Sequence, residues 1–183
     1  MKRRAFLRIV GGVAGSELLG IRPVLVSEAE ASAAPSGTMP LRPLGRTGWQ
    51  VSVVGFSGLA LMQGDQPLCD TAVRQAFEQG VNYYDVAPAY GKGTCETKLG
   101  IALQGLDRGR YFLACKTKKI DKDGARAELE NSLKELKTDH FDVYQLHHLG
   151  KPDGVHTALG PGGALGALLQ AKQEGKIRAI GFS

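Results

Sequence analysis

Sulfur and indole are scarce in this chain, whose 183 residues include three cysteines, three methionines and one tryptophan. Three cysteines cannot build a disulfide framework. Cys69, Cys95 and Cys115 also stand too far apart for a C-x-x-C clamp, so no metal site is expected. A stripe of one charge sign is missing as well. The formal charge is +5, and residues 1–34 hold five basic against three acidic residues, a net of +2 that leaves +3 for the rest. So small and scattered a charge gives no case for nucleic acid. The apolar run that begins at Ile9 is interrupted by Glu17 and Arg22, which makes it a poor membrane span. No repeat array is visible. What the chain does have is apolar mass, 43% of its residues, too much for intrinsic disorder and enough for a packed core.

The first 34 residues read as an address. Lys2, Arg3, Arg4 and Arg8 form a charged start, and a mostly apolar, glycine-rich run follows from Ile9 to Val26. The small-residue stretch Ala29-Glu30-Ala31-Ser32-Ala33-Ala34 then offers A-x-A cleavage patterns, completing the three regions of a secretory signal. Arg3-Arg4 with Phe6-Leu7 resembles the twin-arginine type. That resemblance implies export of a folded protein to the periplasm by the twin-arginine translocation machinery. A basic N-terminal tail on a cytoplasmic protein is the alternative. Gly11-Gly12-Val13-Ala14-Gly15 follows no strand and does not read as a nucleotide loop.

From Met39 the pattern becomes regular. Leu41–Leu44, a glycine-bearing turn at Gly45–Gly48, and Trp49–Val51 predict a short hairpin. Five nearly continuous apolar runs of strand length follow: Val51–Phe56, Asn82–Val86, Phe112–Thr117, Phe141–His147 and Ile177–Phe182. Continuity rather than alternation predicts strands buried on both faces. Between them lie four stripes with helical spacing. These are Ala72/Val73/Ala76/Phe77, Leu99/Ile101/Leu103, Ala125/Leu129/Leu133/Leu136 and Leu165/Leu168/Leu169/Ala171. Strands alternating with helices mean βαβ units in a parallel sheet, where chemistry gathers at the carboxyl ends of strands.

Those ends carry Asp85, Tyr90, Lys116 and His147. Lys116 is the most unusual, because an ammonium inside an apolar strand needs a partner, and Asp85 on the neighbouring strand is a natural one. A buried Asp85–Lys116 pair that only closes the sheet wall is the plain structural reading. Tyr90, on a Pro- and Gly-bearing loop, points to more. An ammonium beside a phenol stabilises the phenolate and eases proton release, which is what a general acid requires. His147 then reads as a hydrogen-bond donor to a substrate oxygen.

The ordered motifs resemble the aldo-keto reductases from about Leu41 to Ser183. They are Leu44-Gly45-Arg46-Thr47-Gly48, Asp85-Val86-Ala87 with Tyr90-Gly91, Glu96 with Leu99-Gly100, and Ala114-Cys115-Lys116-Thr117. Asp142-Val143-Tyr144-Gln145-Leu146-His147 and Glu174-Gly175-Lys176-Ile177 through Ser183 complete the series. The resemblance implies an α/β fold, a (β/α)8 TIM barrel, that reduces an aldehyde or ketone with NADPH, with NADH left open. It implies Tyr90 as general acid, Lys116 as its activator, Asp85 as the residue holding Lys116, and His147 as the group orienting the carbonyl. It also implies cofactor contacts from Ser57, Gly58, Asp85 and Ser183. Leu59-Ala60 depart from the hydroxyl residues that often follow the first-strand glycine, and His148 reads equally as pocket lining or plain surface.

A complete barrel takes roughly 250 residues. Residues 35–183 supply only about five of eight strand–helix units, so they are expected to be the N-terminal part of such a barrel, and the chain a fragment. A cofactor-binding subunit without turnover and an inactive truncated remnant are the competing readings.

Overall fold

A computed structural model describes residues 39–183. The predicted address at 1–34 lies outside the described residues. Strands β1 (Leu41–Pro43) and β2 (Gln50–Ser52) form the expected antiparallel hairpin. Asn82 ties it down: its side-chain oxygen accepts from the Ser52 N–H at 2.7 Å, and its own N–H donates to Ser52 Oγ at 3.0 Å. Trp49 stacks on Phe112 at 5.4 Å, with the Arg178 guanidinium 4.6 Å above the indole. Asn82 just precedes a strand, and Phe112 and Arg178 lie at the starts of two others. The hairpin therefore packs at the amino ends of the main sheet.

That sheet is parallel and ordered β3 (Phe56–Ser57), β4 (Tyr83–Asp85), β5 (Phe112–Thr117), β6 (Phe141–Leu146) and β7 (Ile177–Phe182). Helices α1 (Gln66–Glu78), α2 (Thr94–Ala102), α3 (Lys122–Glu135), α4 (Pro152–Leu159) and α5 (Ala164–Gln173) fill the crossovers. The sequence starts α1 and α3 in the same way. Asp65 accepts from the Leu68 N–H and Asp121 from the Gly124 N–H, so each carboxylate serves an otherwise orphaned helix donor. Val73, Leu99, Leu129 and Leu168 from the helices meet Tyr84, Leu113 and Tyr144 from the strands in one core. The close passage of α2 along the end of α3 needs Gly100, where a Cβ would lie 2.3 Å from the Glu135 carbonyl oxygen. The result is a partial α/β barrel.

Four expectations change. Val51–Phe56 is not one buried strand. Ser52 Oγ donates to the Val54 carbonyl at 2.6 Å, the chain bends there, and Val53 and Val54 are exposed. The run therefore divides between the hairpin and the main sheet. Ile177–Phe182 is fully buried only at Ile177, because β7 is a sheet edge and Phe182 is 79% exposed. In α2 and α5 the outward positions include Ile101 and Leu169, while Ala164 and Ala167 complete the inner face of α5. Helix α4, which was not predicted, follows Lys151 with Pro152 in its first turn and buries Ala158.

Candidate active site

The register of the sheet brings the titratable residues to one end. Ser57 pairs with Asp85 across β3–β4, Asp85 with Ala114 across β4–β5, and Lys116 with Gln145 across β5–β6. Lys116 is 5% exposed, and its ammonium finds three oxygens. It donates to Asp85 Oδ1, to the Val86 carbonyl at 3.3 Å and to the Tyr90 hydroxyl at 3.1 Å. An ammonium carries three N–H donors, so its desolvation is matched bond for bond. Tyr90 follows the turn after β4, anchored by its N–H to the Ala87 carbonyl at 2.9 Å. Because its oxygen accepts from Lys116, its own proton remains available to a further acceptor.

His147 continues β6 with its N–H on the Thr117 carbonyl at 2.8 Å. Its ring stands edge-on to the Tyr90 ring, centroids 5.9 Å apart. Burial, and then the charges of Lys116 and Lys118, lower its pKa below the ordinary histidine value, so the ring is neutral at pH 7. A neutral imidazole has one donor and one acceptor nitrogen, and here the buried Nδ1 has no partner among the described residues. The four predicted catalytic residues thus meet. Of the four, Lys116 and His147 line a cleft of about 280 Å³, together with Pro88, Ala89, Lys118, Lys119 and Glu128. Another hollow, between Leu146, Val155, Ile180 and Phe182, has an apolar lining among the described residues.

The predicted cofactor residues lie on the same rim. Ser57 is exposed at the end of β3. Gly58 is buried, and a Cβ there would lie 2.8 Å from Val86 Cγ2 and 3.0 Å from the Asp85 carbonyl oxygen. Ser183 follows β7 with its N–H on the Leu146 carbonyl at 2.9 Å and its side chain exposed. His148 is exposed and lines a neighbouring cleft. Three non-glycine residues among those described have positive φ. Two of them, Lys92 and His148, lie two residues after Tyr90 and one after His147, and backbone strain is commonly concentrated near functional sites.

Two supports escaped the sequence reading. Glu128 Oε2 accepts from the Thr117 hydroxyl and from the Lys118 N–H at 3.2 Å, fixing the loop after β5. Glu96, read only as part of a motif, is 1% exposed and accepts from Cys115 Sγ at 3.4 Å, between α2 and the outer face of β5. Neither has a local signal, since each depends on a partner from a different element.

Comparison with known proteins follows the same geometry. Residues 63–183 match the family model described as "Aldo/keto reductase family". The chain is 34% identical over 158 residues to L-galactose dehydrogenase of Arabidopsis thaliana, covering 78% of this chain and 48% of that protein. It is 28% identical over 166 residues to the NADH-specific methylglyoxal reductase of Escherichia coli, covering 76% and 50%. Among solved structures, aldo-keto reductase AKR11C1 of Bacillus halodurans superposes with a TM-score of 0.67 at 31% identity, covering 79% of this chain and 50% of that one. An aldo-keto reductase of Klebsiella pneumoniae in complex with NADPH gives 0.66 at 28% identity, covering 79% and 49%. The chain spans about half the length of the curated relatives it matches. With the strand-end cluster, the sheet order and the family match in agreement, this chain belongs to the aldo/keto reductase family.

Proposed function

We propose that this protein reduces an aldehyde or ketone to an alcohol with a nicotinamide dinucleotide. The observation that carries the reading is the Tyr90 hydroxyl, which accepts from the buried Lys116 ammonium and so keeps its own proton available to another acceptor. Tyr90 donates that proton to the carbonyl oxygen as negative charge develops there. Lys116 stabilises the resulting phenolate, and Asp85 holds Lys116 in place and balances its charge. His147, neutral and edge-on to Tyr90, orients the same oxygen through a ring N–H.

The rim suits the dinucleotide. Ser57, Asp85 and Ser183 offer hydroxyl and carboxylate groups of the kind that hold ribose and carboxamide. The dinucleotide, when bound, supplies the hydride. NADPH is the proposed donor, supported by the NADPH complex of the Klebsiella pneumoniae relative, whereas the Escherichia coli relative is NADH-specific by name. Competition between the two dinucleotides decides the preference.

Tyr90→Phe tests the function directly. It is expected to lower kcat about 10²–10⁴-fold while leaving dinucleotide binding intact. An unchanged rate overturns the reading. Tight dinucleotide binding without turnover by the unaltered protein supports a cofactor-binding subunit instead. The N-terminal segment is proposed as a twin-arginine export address, tested by sequencing the exported protein's N-terminus. Cleavage after residue 31, 33 or 34 supports it, and an intact Met1 overturns the proposed cleavage.

A further inference from the structure

Two clefts meet at His147. One contains Lys118, Lys119 and Glu128, and the other contains Lys118, His148 and Lys151. The charge of Lys116 is answered by Asp85. Glu128 is engaged by Thr117 and the Lys118 N–H, and Asp121 caps α3 through the Gly124 N–H. Asp153 lies in the first turn of α4, with its backbone carbonyl accepting from Thr157. Among the described residues, Lys118, Lys119 and Lys151 have no carboxylate within 4.0 Å, so three lysine charges face one glutamate at the mouth of the site. All three lysines are exposed and contribute nothing to the core. Ile120 and Leu149 supply apolar wall between them, and low-dielectric walls concentrate the field of such a cluster into the cleft.

We propose that the site selects carbonyl compounds that also carry an anionic group, a carboxylate or phosphate, which Lys118, Lys119 and Lys151 receive while Tyr90 and His147 engage the carbonyl. The inference rests on the reductase reading above. The phosphates of the dinucleotide are the other anions that these lysines can attract, and the test separates the two sources.

The full chain, supplied with dinucleotide, is assayed on para-carboxybenzaldehyde and on its neutral methyl ester. At low salt the acid is expected to exceed the ester in kcat/KM about tenfold, with the preference shrinking as ionic strength rises. Lys118→Ala/Lys119→Ala, on exposed side chains that folding does not need, is expected to lower kcat/KM for the acid about tenfold more than for the ester. The dissociation constant of the dinucleotide should stay unchanged. Equal wild-type activity on both aldehydes overturns the inference alone. A loss of dinucleotide affinity with an unchanged acid-to-ester ratio also overturns it, by assigning the lysines to cofactor phosphates. A separate measurement needs no turnover: benzoate, but not benzyl alcohol, should perturb the His147 and Lys118 NMR signals of the cofactor-free chain. If neither aldehyde is reduced but benzoate still binds through these lysines, the reductase reading fails while the anion site stands. Absence of benzoate binding overturns the anion site.

Discussion

Replacing Lys116 by methionine keeps most of the aliphatic stem and removes the ammonium alone. Three hydrogen bonds go with it: to Asp85, to the Val86 carbonyl and to the Tyr90 hydroxyl. Breaking a fully buried ion pair by removing one partner costs about 3–5 kcal/mol. Here the Asp85 side chain is 28% exposed, so water takes over part of the lost contact and the expected cost falls to about 1–3 kcal/mol. In a chain of this size that lowers Tm by about 3–10 °C. The effect on turnover should be larger in free energy than the effect on stability. Under the proposed function the phenolate formed at Tyr90 then loses its cationic partner, and kcat should fall about 10²–10⁴-fold, or about 3–5 kcal/mol of barrier. A thermal melt followed by circular dichroism and steady-state kinetics on the same preparation give the two numbers. Lys116→Met combined with Tyr90→Phe completes a cycle. Groups that act as one unit should show a double variant hardly slower than the worse single variant. A Lys116→Met enzyme within tenfold of wild type at the expected Tm loss would refute the chemical role. Strict additivity in the cycle would refute the coupling to Tyr90.

Gly58→Ala should destabilise by about 1–3 kcal/mol, because its Cβ would press on Val86 and the Asp85 carbonyl, and kcat should drop as Asp85 shifts. A melt and a rate that both match wild type would remove this packing account. Asp142→Ala, which strips a fully buried carboxylate from Arg108, Arg178 and the Leu113 N–H, should cost about 2–4 kcal/mol in urea unfolding. A loss below about 1 kcal/mol would show that the partly exposed arginines carry no net coupling. Burial raises the Glu96 carboxyl above its ordinary value of 4.5, so the native state keeps a proton that the unfolded chain has released. Its contribution is therefore complete below about pH 4.5 and is lost as pH rises through the native value. Glu96→Gln should flatten that part of the stability–pH curve, and parallel curves would count against a protonated Glu96.

The proximity of the candidate catalytic residues was legible because each is placed by local pattern. Asp85 and Lys116 interrupt apolar strands, and a charge in such a run demands both a partner and a reason. The hairpin at Leu41–Ser52 was legible for a similar local reason, its glycine-bearing turn. What sequence did not reveal depends on contacts made at long range. The bend at Ser52–Gly55 comes from a hydroxyl-to-carbonyl bond that looks, in the sequence, like the start of a Val-Val strand. Helix α4 has only eight residues, and Pro152 and Gly154 at its start read as loop. The Arg108–Asp142–Arg178 group joins residues 34 and 36 positions apart, so no window along the chain displays it. Leu169 shows that an apolar residue at nearly the right spacing can still face outward when alanines at 164, 167 and 171 line the inner side.

The alternation along β5 has a chemical consequence. Cys115 faces the buried carboxyl of Glu96, and the next residue, Lys116, faces Asp85 and Tyr90. Moving β5 by a single position against its neighbours would present a thiol to the phenol and drive an ammonium in among the packed helices. A misaligned sheet would thus be unstable, through an unpaired buried charge, and would also separate Lys116 from Tyr90. Correct strand alignment and the proposed chemistry therefore depend on the same register.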